Sequence, residues 1–314
     1  MGRYILMRLA GLVGVLLAVS FITFMLMKAV PGGPFDMMAV NASQMIPEEV
    51  KQILNKKFGL DRPVMEQYIK FLGNAVKLDF GYSFYYTGRT IVQIFRDQWK
   101  YSIQLGLLTI TYSIIVGMGL GLLAAIKQNT FWDHFGTGVS LFCLAMPSFV
   151  FAVLLQIIFS VKLGWLPTSG WGDSPSQWIM PVLANSLGPV LILQRFTRSS
   201  MADVMRSNYV RTARAKGMSE RRVMLVHVFK NALTPIITVG GPMLAGLVTG
   251  SFFVESIFRI PGVGYFMVSG IANRDYPLIM ATTLLWTALI SITFLISDLL
   301  YAAVDPRVTY VKEK

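Results

Sequence analysis

The chain has 314 residues, 54% hydrophobic and 14% charged, with 28 Lys and Arg against 16 Asp and Glu for a formal net charge of +12. So much apolar sequence with so little charge excludes an ordinary soluble domain and describes a polytopic membrane protein. A single Cys143 rules out a disulfide framework or a cysteine metal site within the chain, and with only His134 and His227 besides, no metal is expected.

Arg3 and Arg8 precede the first apolar run, about Leu9 to Met27, which stops at Pro31-Gly32-Gly33-Pro34. That length crosses a bilayer. It is too long for a signal h-region and no small-residue cleavage site follows, so no cleavable leader is expected. Basic residues are retained inside, so residues 1–30 form a transmembrane helix that leaves the cytoplasm. Residues 31–99 are mixed in charge and contain no spanning run, as befits an extracytoplasmic segment. Pro47-Glu48-Glu49 starts a helix that runs to Phe58 and stops at Gly59. A second helix is expected from Pro63 to about Leu78, with Met65, Tyr68, Ile69, Leu72 and Val76 on one face.

Five further spans and a basic loop follow. The second span is about Tyr101 to Ile126, where Gly117, Gly119 and Gly121 suit close helix packing. The third, about Phe135 to Val161, is interrupted at Met146-Pro147-Ser148, and Trp165, Trp171 and Trp178 cluster around the short external loop after it. The fourth, about Trp178 to Leu193, contains Asn185-Ser186 and Gly188-Pro189. Residues 195–230 then hold nine bases against two acids, so the excess positive charge is a mark of cytoplasmic location and not of nucleic-acid binding. Inside this loop a first helix over 202–215, a turn at Gly217, and a second helix with Ser219-Glu220 at its start are expected. Met224, Leu225, Val228 and Phe229 form the apolar face of that second helix. The fifth span, about Leu233 to Val254, should loosen at Gly240-Gly241-Pro242, and Gly246 and Gly250 offer a small-residue face. The sixth runs from about Leu278 to Val304, with Asp298 its clearest ionisable residue and Lys312 and Lys314 inside.

The run Arg211-Thr212-Ala213-Arg214-Ala215-Lys216-Gly217 resembles the EAA loop of ABC-transporter permeases, in the version of the dipeptide/oligopeptide branch. The family's Glu is Arg211 here and the Leu-Pro after its glycine is displaced, both read as marks of that branch. Gly59-Leu60-Asp61-Arg62-Pro63, Asp79-Phe80-Gly81-Tyr82-Ser83, Glu255 to Gly264, Asn273 to Leu278 and Asp305-Pro306-Arg307 are similar to the family's segments in the same order.

The resemblance implies an all-α integral membrane permease with six transmembrane helices, both termini cytoplasmic, and a small helical external segment. Residues 100–305 are the permease core, about 195–232 the coupling loop, and 306–314 the cytoplasmic tail. It implies an inner-membrane subunit that carries di- or oligopeptides handed over by an external solute-binding protein. Its partners would be a second homologous permease and two cytosolic ATPases that hold ATP and Mg, with no cofactor in this chain. Nickel, glutathione, haem and oligosaccharide importers share the permease type. A secondary transporter or channel is the rival of another class, and neither paired intramembrane carboxylates nor an inverted repeat is present to support it.

By the same resemblance, residues 211–217 couple to the ATPase, against the alternative of a purely positive-inside membrane attachment. The breaks at Pro147, Ser148, Ser186, Pro189, Thr238, Gly241 and Pro242 are expected to be pathway hinges. Phe258, Ile260, Pro261, Gly262 and Gly264 are expected to form either an external gate or an interfacial turn. The 31–99 segment either caps helix ends or contacts the binding protein. No phosphate-cradling G-x-x-x-x-G-K-[ST] run and no H-E-x-x-H or G-x-S-x-G motif supporting catalysis is found, so the chain is not expected to be an enzyme.

Overall fold

The computed structural model describes residues 2–35, 47–172 and 174–304, and among these every regular element is a helix, apart from one isolated bridge between Tyr82 and Thr90. The Asp305-Pro306-Arg307 ending and the tail lie outside the described residues, as do the side chains of Asp298 and Thr238. Two compact units divide the chain. One is Met1–Tyr101 with Pro261–Ile292, and the other is Ser102–Ile260 with Thr293–Lys314.

In the first unit, α1 covers Gly2–Ala29, α2 Glu48–Phe58 and α3 Val64–Ala75. As expected, α2 begins after Pro47 and ends at Gly59, whose left-handed φ of 71° lets the Leu60 amide close back on Asn55. The expected face of α3 is corrected. Tyr68 and Leu72 pack with Phe24, Met27, Ile279 and Met280, whereas Met65, Ile69 and Val76 are exposed. Helix α4, Ile91–Ser113, starts ten residues before the expected span. Thr90 and Gln93 cap it reciprocally, each side chain accepting the other's amide at 3.0 and 3.2 Å.

In the second unit a π-helical turn, Ile114–Met118, leads into α5, Gly119–Ile126. Helix α6 is Phe131–Ala145 and α7 is Ser148–Leu155, continuing as a π-helix over Gln156–Lys162. Helices α8, Ser176–Asn185, and α9, Leu187–Met205, follow. Helix α9 is the hub, packed on α5, α6 and α12 (Lys230–Val248). Two glycines make this possible. A Cβ at Gly117 would lie 2.8 Å from the Val190 carbonyl oxygen, and one at Gly121 would lie 2.6 Å from that of Gln194. Gly119 and Gly246 face open space, so neither is the packing contact expected of it. The close approach onto α12 comes from Gly106, whose added Cβ would sit 2.7 Å from the Leu247 oxygen.

Three described helices are long and apolar enough to cross a membrane, Leu6–Ala29, Ile91–Ile126 and Tyr276–Leu295. Two bent pairs reach that length and apolarity only when taken together, α6–α7 at 100° and α8–α9 at 59°, the geometry of a broken span or a re-entrant loop. Helix α9 continues unbroken past Leu193 to Met205. Helix α12 likewise passes through Gly240-Gly241-Pro242 without a break.

Candidate functional site

The basic loop is a folded object. Helix α10, Asn208–Ala215, is separated from α9 by Arg206-Ser207, so the single helix expected over 202–215 is two. It ends in a Schellman-type turn: the Gly217 amide bonds to the Arg214 oxygen at 2.9 Å, and the Met218 amide reaches that of Ala213 at 3.4 Å. Gly217 sits at φ 74°, a conformation that costs an L side chain strain. Met218 then folds back onto the apolar cluster of Met201, Val210, Ala213, Val223, Met224 and Val228.

After α10 the chain forms α11, Glu220–Arg222, and a π-helix, Val223–Phe229, before α12. The buried face there is Val223, Met224 and Val228, and Leu225 is exposed at 54%. The Ser219 side chain does not cap the helix. Glu220 instead receives two hydrogen bonds from Arg214, from Nε at 3.1 Å and Nη2 at 2.6 Å. Those bonds hold the Glu220 carboxyl below the usual carboxylate range and raise the Arg214 guanidinium.

The 211–217 run is therefore two-faced. Ala213 is buried among the loop's own residues, while Arg211, Thr212, Arg214, Ala215, Lys216 and Gly217 are exposed, joined by Tyr209. A charged surface backed by a packed core is a platform, whereas a mere attachment segment needs no such backing.

Among the expected hinges, Met146-Pro147 is extended and turns α6 away from α7, with Ser148 the first residue of α7. Ser186 stands at the α8–α9 break, buried, its Oγ donating to the Leu183 oxygen at 2.8 Å. Pro189 lies in the first turn of α9, where proline is tolerated, and so begins that helix. Gly241 and Pro242 lie inside continuous α12.

Between the expected fifth and sixth spans, α13 is Phe252–Ile257 and α14 is Val263–Ala272. Phe258 and Ile260 are buried at 1% and 0% exposure. The expected sharp turn at the Pro261–Gly264 glycines is relocated: Arg259 carries the left-handed φ of 52°, and the Ile260 amide closes onto Glu255 at 2.8 Å. Gly262 is extended and simply precedes α14.

Several buried polar groups were not anticipated. Glu255, fully buried, accepts from Ser102 Oγ at 2.9 Å and from the Ser251 amide at 3.0 Å. Asp133 takes a forked pair of bonds from Arg198 at 2.7 and 2.9 Å, and Ser140 donates to Gln194 Oε1 at 2.5 Å. Asp275 accepts from the Ser83 hydroxyl and from the Phe84 and Tyr85 amides. The signal for Asp133 was present, since it is the only acid between Asp97 and Asp173.

Residues 117–310 match the family described as "Binding-protein-dependent transport system inner membrane component", and residues 1–103 match the N-terminal component of the same type of system. The chain belongs to this family. It is 38% identical over 309 residues to the oligopeptide transport system permease protein OppB of Haemophilus influenzae, covering 98% of this chain and 99% of that one. It is 36% identical over 313 residues to the dipeptide transport system permease protein DppB of Bacillus subtilis, with complete coverage of both. The inward-facing MetNI methionine ABC transporter superposes at TM-score 0.55 and 13% identity, covering 68% of this chain and 97% of that one, a likeness of fold.

The chain is thus the permease component of an ABC importer, a multi-pass inner-membrane protein. It is a transport subunit, and ATP hydrolysis lies on partner subunits. A binding protein and an ATPase are its general partners.

Proposed function

We propose that this permease carries di- or oligopeptides delivered by an external solute-binding protein, and that the exposed face of α10 and its Gly217 turn docks onto a cytosolic ATPase. The chain crosses the membrane six times with both termini in the cytoplasm. It pairs with a second homologous permease and two ATPases. The observation that carries the coupling role is the packing of Val210 and Ala213 into the loop's core, which leaves Tyr209, Arg211, Thr212 and Ala215 presented on a rigid base. A rigid element transmits a displacement at its surface to α9 and α12, the helices that the same cluster joins. The peptide assignment is supported by the names of full-length relatives.

ATP-driven closure moves the platform, and the two breaks at Pro147-Ser148 and Ser186 take up the change. Phe258 and Ile260 hold the external connection shut at rest. The test is purification in mild detergent from the native membrane with its partners attached, followed by peptide uptake in proteoliposomes. Recovery of an ATPase with the wild type and its loss with Ala215→Asp supports the docking face. A co-purified binding protein loaded with nickel, haem or an oligosaccharide would overturn the peptide assignment and leave the coupling role standing.

A further inference from the structure

The unit formed by α1, α2, α3 and the start of the last helix, α15 (Tyr276–Val304), contains two adjoining cavities. The first, about 370 Å³, is a cup with an aromatic floor that includes Phe24, Phe58, Phe80 and Tyr276. Lys28, Lys57, Arg62 and Lys70 line it, and among the described residues no carboxylate does. Arg62 is paired with Glu66 at 2.6 Å. Lys28 Nζ lies 5.8 Å from the Phe24 ring centre and 5.5 Å from that of Tyr276, and Lys57 Nζ lies 5.7 Å from Phe58. These lysines are held by rings that supply no counter-charge.

The second cavity, about 490 Å³, shares Phe80 with the cup and is almost purely apolar. Its walls include Val13, Leu17, Leu72, Val76, Leu284 and Ala288. Along α1 the groove residues precede the cup residues Phe24 and Lys28, and along α15 they follow Tyr276 and Met280. Both membrane-crossing helices therefore lead from a cationic cup into an apolar groove in one direction. At about 1.5 Å per residue, Val13 to Lys28 spans roughly 22 Å, the reach of one acyl chain. Val76 and Leu78, at the groove, are 86% and 71% exposed, which is costly in water and favourable against hydrocarbon.

We propose that this unit is a binding site for an anionic phospholipid, its phosphate among Lys28, Lys57 and Lys70 and one acyl chain in the groove. The charge selects an acidic headgroup, and the groove selects a lipid over a soluble anion. The site is independent of the transported substrate.

The experiment is native mass spectrometry of the full chain in neutral detergent, titrated with phosphatidylglycerol, with phosphatidylcholine of the same acyl chains, and with glycerol phosphate. Phosphatidylglycerol should bind at least tenfold more tightly than phosphatidylcholine. Lys28→Gln, Lys57→Gln and Lys70→Gln should each weaken phosphatidylglycerol by about fivefold and leave phosphatidylcholine unchanged. Ala288→Trp, which fills the groove, should weaken both lipids. Equal wild-type affinity for the two lipids overturns the proposal without any variant. So does undiminished phosphatidylglycerol binding to the lysine variants, or glycerol phosphate binding as tightly as the lipid, which would assign a soluble-anion site.

Discussion

At the scale of single residues, the structure separates positions that look equivalent in the chain. Ala213 and Ala215 lie two apart in one alanine-rich run, yet Ala213 is buried at 5% exposure and Ala215 is in solvent. Ala213→Asp places an unpaired charge among Val210, Val223 and Val228, at a cost of about 3–5 kcal/mol, and should lower both yield and melting temperature. Ala215→Asp should leave the melting temperature unchanged while abolishing ATPase recovery, which a thermal melt beside a pull-down will show. Gly106 and Gly119 make a second contrast. A methyl at Gly106 meets the backbone of Leu247 and Val248 within 2.9 Å, and backbone cannot rotate aside. Gly106→Ala should destabilise by about 1–3 kcal/mol, and Gly119→Ala, facing open space, by nearly nothing.

Individual elements carry two further expectations. The Arg214–Glu220 pair staples α10 to the segment after its glycine turn, and because Glu220 is depressed, the staple is complete above the ordinary carboxylate range. It is lost as pH falls through the lowered Glu220 value. Both side chains are largely exposed, so its contribution is about 0.5 kcal/mol and shrinks with salt. Corrected for the slower intrinsic exchange in acid, the protection of the α10 amides should therefore fall modestly as pH drops, and Glu220→Gln should remove that pH dependence. The breaks at Ser148 and Ser186 differ in exposure. In a Cys143→Ala background, a cysteine replacing half-buried Ser148 should react with a small polar thiol reagent at rest. One replacing Ser186, buried at 2%, should stay inert until hydrolysis is trapped. Reactivity that never changes at either position would mean that these breaks are fixed packing features.

For the whole molecule, orientation is the testable quantity. Thr87 and Ser219 are both exposed and lie in segments of opposite character, one nearly balanced in charge and one strongly basic. An impermeant maleimide should label Thr87→Cys in right-side-out vesicles and Ser219→Cys only in inverted ones. Labelling of both from one side would refute the six-span arrangement.

Membrane character, the apolar runs, the basic loop and the family were legible in the chain itself, because hydropathy, charge asymmetry and the Arg211–Gly217 run are local and additive along the sequence. The stops at Gly59 and Gly217 were legible too, since a left-handed cap depends on one residue. Thr90-Ile91-Val92-Gln93 carried a readable capping signal for the early start of α4, ten residues before the apolar run. What the tertiary structure alone decided was facing. Apolar spacing put Met65, Ile69 and Leu225 on apolar helix faces with residues that are buried, yet these three are exposed, because membrane and partner surfaces are as apolar as an interior. Which glycine meets a backbone, Gly106 and not Gly246, depends on the depth at which two helices cross. Whether Glu255 finds a hydroxyl and Asp133 a guanidinium depends on residues 153 and 65 positions away, separations across which no local pattern carries information.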